Sequence, residues 1–109
     1  MKYKITDEES FIVESFKSSR IPAIFKEDYI ECMLFLELID FDICTSLIKG
    51  EKISEEIVEM AIDGSKDYIA LIDITRLDDI SYNYYKQCIL IIDIMKKYHQ
   101  EHFCATINL

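Results

Sequence analysis

The sequence predicts a small α/β domain, a mostly parallel or mixed sheet with helices packed on it, and three observations predict it. Tyr68–Thr75 is short, β-branched, almost wholly apolar and bounded by polar turns, which are the marks of a strand covered on both faces. A helical pattern follows over about 82–101, with Tyr84, Cys88, Ile91, Ile92, Met95 and Tyr98 on one side. His102–Leu109 then closes the chain as another short β-branched segment. With a strand at 41–48 and a helix between the glycines, strands and helices alternate, and alternation implies crossovers over a sheet. An all-α bundle is the alternative, because short apolar runs also fit buried helices.

The elements take shape in chain order. Thr6-Asp-Glu-Glu9 has the form of a capping box, and Phe11, Ile12, Ser15 and Phe16 share one side of a helix over 7–18. Ile21-Pro22 ends it, since proline drives its predecessor out of the helical region. Residues 26–48 are apolar nearly all round and are read as a helix to about 39, then a strand over 41–48. Gly50 and Gly64 bracket a further helix. Ser54 is its N-cap, Glu55 and Glu56 suit the positive end of its dipole, and Gly64 is its stop. Ile57, Met60 and Ala61 are its expected inward stripe. Asp79 or Ser81 is expected to cap the long helix.

With 109 residues, half of them apolar, the chain is read as one domain, a helical segment over 1–40 and a core over 41–109. Apolar runs such as Cys88–Ile92 fall far short of the ~18–20 residues a membrane span needs. The opening MKYKITDEESF has no apolar stretch of the kind a signal peptide carries, so the expected location is the cytoplasm. Cys32, Cys44, Cys88 and Cys104 lie far apart in apolar surroundings and are read as reduced core thiols.

Charge is unevenly spread. Of the net −9, residues 27–79 hold 15 acids against Lys49, Lys52, Lys66 and Arg76. Such a stretch repels nucleic-acid phosphates and anionic lipid, and attracts a basic protein surface. Glu55, Glu59 and Asp63 stack at i, i+4 and i+8 as an acidic face, which is either a docking surface or a solvated one.

Leu71-Ile-Asp73-Ile-Thr75, then Leu77, then Ile80-Ser81 ahead of a helix resembles the central motif of the STAS domain, the anti-sigma-factor-antagonist-like family. SLIKGEKISEEIVE and KKYHQEHFCATINL resemble the segments on either side, so the resemblance covers about residues 41–109. It implies a non-enzymatic regulatory module that binds another protein through the 78–85 loop. Where the family's loop usually reads Asp-Ser-Ser-Gly, this chain has Ser81-Tyr82-Asn83-Tyr84, and Asn83 cannot accept phosphate. The expected contact residues are Asp78, Asp79, Ser81, Tyr82, Asn83 and Tyr85. Exposed tyrosines bring contact area at low entropic cost, and the three tyrosines of 82–85 cannot all face inward.

Catalytic patterns are lacking. No G-x-S-x-G, glycine-rich phosphate loop or Cys–His nucleophile pattern occurs, and Asp78-Asp79 sits where capping alone explains two acids. His99, His102 and Cys104 have a metal-like spacing but also lie at a helix C-terminus, where imidazolium is favoured anyway, so no metal or cofactor is expected. On an all-helical fold, composition points instead to a small acidic immunity protein that neutralises a basic toxin.

Overall fold

The computed structural model describes residues 4–30 and 39–104, and among these there is no strand. The α/β expectation is therefore overturned, and the described residues have the all-α architecture. Helix α1 (Asp7–Ser18) starts at the predicted capping box: Glu9 N donates to Thr6 Oγ1 at 3.1 Å and Thr6 N to Glu9 Oε1 at 2.9 Å. Pro22 then leads into the short helix α2 (Ala23–Asp28). A π-helical segment, Ile39–Cys44, runs into α3 (Thr45–Lys49), where the strand over 41–48 was expected. Ile39, Ile43, Cys44 and Leu47 are buried at steps of four, one and three, which share one side of a helix, whereas a strand would turn Ile43 and Cys44 to opposite faces. Gly50, at φ +72°, ends α3 in the left-handed conformation that glycine adopts without penalty.

Helix α4 (Glu55–Ile69) opens with Ile57 N donating to Ser54 Oγ at 3.3 Å, as expected of that cap. It does not stop at Gly64. Its buried row is Val58, Ala61, Ile62, Ser65 and Ile69, and Ile72 beyond the helix end continues the three-and-four spacing. A mid-helix glycine costs roughly 1 kcal/mol relative to alanine, and burial of Ile62 and Ile69 on either side, at about 1.5–3 kcal/mol per large side chain, outweighs it. Tyr68 and Ile69 are thus the last turn of α4, and Ile74–Arg76 is a 3₁₀ turn, so the expected strand over 68–75 is absent. Leu71 and Ile74 are exposed, so this run is not covered on both faces. Ile57 and Met60 also face solvent; of the expected stripe only Ala61 is inside.

Helix α5 (Asp79–His99) is the central element, and Asp78 is its cap rather than Asp79 or Ser81. Tyr84, Cys88, Ile91, Ile92, Met95 and Tyr98 are all buried, as the 3.6-residue period predicts. Gln100–Cys104 continues it as a π-helical turn; the rest of the expected terminal strand, 105–109, lies outside the described residues, as do residues 31–38 of the expected helix ending near 39. Both α1 and α4 pack on α5. The pairs Glu9–Lys97 and Ser19–Gln87 run α1 antiparallel to it, and on the other flank Ile53 and Glu59 meet Tyr98 and His99. The segment 39–49 covers α1, with Lys17 Nζ donating to Thr45 Oγ1 at 2.8 Å. Phe16, Phe25 and Tyr84 join α1, α2 and α5 through ring contacts of 5.5 and 5.3 Å. Cys44 and Cys88 are buried thiols within this core.

Candidate functional site

Two surfaces come from the residues singled out above. The first is the start of α5. Asp78 Oδ1 accepts from Ser81 N at 2.8 Å, so this carboxylate is committed to the cap. Ser81 is buried, at 4% exposure, and cannot meet a partner or a modifying enzyme without opening the helix start. Tyr84 is inside, Tyr85 half-buried and Tyr82 exposed, its ring stacked on Tyr85 at 6.2 Å with Lys86 Nζ 5.1 Å from its centre. Asp79 and Asn83 are exposed. Of the six expected contact residues, Asp78 and Ser81 are therefore structural, while Asp79, Tyr82, Asn83 and part of Tyr85 form an outer rim. Ile80, named above only as part of the STAS-like motif and not among the expected contact residues, is 74% exposed. It flanks a cleft of about 320 Å³ with Pro22, Ala23, Ile24 and Arg76.

The loop before α5 is tied down. Asp73 N donates to Tyr29 Oη at 3.1 Å, and Arg76 pairs with Asp28 at 2.7 Å. Hydrogen bonds from the Thr75 hydroxyl and amide hold the Asp73 carboxyl below the ordinary carboxylate range, and the Ser81 amide does the same for Asp78. At Glu9 burial works to raise the carboxyl, but the Thr6 hydrogen bonds and Lys97 together outweigh it and hold it low. Between the folded and unfolded values the unfolded chain binds more protons, so stability rises with pH there. This stabilisation is complete above the usual carboxylate range, near pH ~4, and is lost as pH falls through the folded values. Asp78→Asn retains a capping acceptor. It is expected to melt close to wild type at neutral pH and to lose less stability below pH ~4; melts from neutral to acidic pH test this, and acid sensitivity equal to wild type would mean that the Asp78 charge plays no part.

The second surface is α4. Glu55, Glu59 and Asp63 are exposed as expected, but they do not act as one face. His99 Nε2 lies 3.3 Å from Glu55 Oε2 and 3.2 Å from Glu59 Oε1, joining the end of α5 to the start of α4. These donor atoms lie within 4.8 Å of one another, a spacing a divalent cation would accept. Both contacts are equally those of an imidazole set between two carboxylates, which accounts for the cluster with no ion. His102 instead packs its ring on Tyr98 at 4.5 Å, so the two histidines have different neighbours; the Cys104 side chain lies outside the described residues.

Asp63 belongs with Glu56, expected above only to suit the helix dipole, and with Asp67, which the sequence reading did not single out. These three are exposed and, among the described residues, lie in no ion pair. Their spacing of seven and four was legible beforehand. What hid it was the choice of the buried row, since α4 carries two apolar rows and only packing on α5 decides between them.

No helix among the described residues is long and apolar enough to cross a membrane. No protein-family model matches the chain, and no curated protein or solved structure matches it either.

Proposed function

We propose that this chain is a non-enzymatic helical protein that binds and blocks a basic partner protein, as small immunity proteins do with cationic toxins. The observation that carries the reading is the outward row Glu56, Asp63 and Asp67, three carboxylates in no ion pair among the described residues, on a helix fixed by its packing against α5. A rigid element presenting like charges holds its field in place before encounter, and such fields raise association rates by roughly 10–10³. The concentration of acid over residues 27–79 adds to that field. Regulation through a modified 78–85 loop has less support, because Ser81 is buried and Asp78 is engaged in the cap.

The test is co-expression with the products of the genes adjacent to its own, followed by purification and kinetics. A basic partner is expected to co-purify, with an association rate that falls as salt rises. The triple variant Glu56→Lys, Asp63→Lys, Asp67→Lys should associate at least ~10-fold more slowly with little change in melting, since exposed substitutions usually alter stability by under ~0.5 kcal/mol each. Capture by this variant at the wild-type rate would overturn the reading.

A further inference from the structure

On that reading, we infer that the partner presents a basic amphipathic helix that lies along α4, its apolar row on Ile57 and Met60 and its lysines or arginines against Glu56 and Asp63. Ile57 is 38% exposed and Met60 51%, although α4 already buries a complete apolar row on its other side. Ile57, Met60 and Gly64 follow one another at three and four residues, the spacing of a seam that receives a second helix. Gly64, with no side chain, lets another backbone come close at the third position. Glu56 and Asp63 precede Ile57 and Gly64 by one residue each, the flanking positions at which charges choose the partner of a helix pair.

Charge decides what fills the seam. A second copy of this chain would set Glu56 against Asp63 when antiparallel, and in neither orientation would its own flanking residues bring a base to them. An anionic lipid surface meets the same repulsion. A basic segment meets none, and its helical form follows from the three-and-four spacing, which a strand with its two-residue period cannot match.

The test uses the full chain labelled with ¹⁵N and three synthetic peptides of equal length. One is a leucine–lysine amphipathic helix, one has the same composition scrambled, and one replaces lysine by glutamate. The leucine–lysine helix is expected to shift the amides of Ile57, Met60 and Gly64, with binding that weakens as salt rises. Affinity should fall at least tenfold in the double variant Ile57→Asp, Met60→Asp. Gly64→Gln should also weaken it, by filling the seam with a residue that favours helix, so loss of folding cannot explain the result. Equal binding of the scrambled peptide, shifts centred on Ile80–Tyr85, or full affinity in the double variant would each overturn the inference. Should the seam fail while the triple lysine variant still slows capture of the co-expressed partner, the acidic binding face stands and only the helical occupant falls.

Discussion

Phe25→Ala is expected to lower stability by about 3–5 kcal/mol, the range for truncating a fully buried phenylalanine. The ring is wholly buried, 5.3 Å from Tyr84 and 6.1 Å from Tyr29 by ring centres. Helix α2 has six residues and no side-chain cap, far too short to persist by itself in water. Its other ties are Ile24, partly buried against the core, and two surface contacts, the Arg76–Asp28 pair and the Asp73 N to Tyr29 Oη bond. An exposed ion pair contributes about 0–1 kcal/mol, so the wholly buried ring outweighs the surface contacts. Against a total stability of roughly 5–15 kcal/mol, the variant should have a much lower urea midpoint and melting temperature. Phe11→Ala is the control, since Phe11 is 72% exposed and its loss should change little. A Phe25→Ala loss below about 1 kcal/mol would mean that α2 does not depend on this ring for its place.

Tyr98→Phe is the second large effect, at about 1–3 kcal/mol, because it strands a buried donor. Ile53 N donates to Tyr98 Oη at 3.1 Å, and both residues are buried, at 6% and 3% exposure. The contact anchors the turn between α3 and α4 to the end of α5. Phenylalanine keeps the ring in place and removes the hydroxyl that accepts from Ile53 N, so the loss reports on lost polar contacts rather than on a cavity. Urea unfolding measures the total, and hydrogen exchange at Ile53 should quicken specifically. An unchanged exchange rate there would show that the amide has another acceptor. Tyr82→Phe, altering an exposed hydroxyl, should leave both readings at the wild-type level.

Local chemistry was legible wherever a cap or a long amphipathic period was present. Thr6 and Glu9 announce α1 and Ser54 the start of α4, since each satisfies backbone groups by contacts within a few residues, whereas Gly50 marks a boundary but closes a helix where a strand is expected. The inward side of α5 was legible too, because over 21 residues the 3.6-residue period has no competing solution. Tyr68–Thr75 was not. Its β-branched residues suit a strand, yet among its described side chains only Ile69 and Ile72 are inside, and that choice belongs to α5 rather than to the segment. Gly64 misled for the same reason: a glycine stop is a weak local preference that packing on both sides overrides. At the site, the carboxylates of α4 were visible as charge, but their division into a row held by His99 and an outward row of Glu56, Asp63 and Asp67 depends on where the end of α5 falls. Asp78, expected both at the contact and beside a cap, caps α5, and Ser81 is buried; a cap and a contact loop use the same residue types.

Helix α1 rests on the last long helix, from Glu9 at Lys97 to Ser19 at Gln87. During synthesis the segment 39–49 can meet it early, but its seat on α5 forms only once residues 87–97 have left the ribosome. The entropic penalty for closing so long a loop grows only as the logarithm of its length, so the late partner delays assembly far more than it weakens the finished core. Until then Phe16, which ends up stacked on Tyr84, stays partly open to solvent and to chaperones.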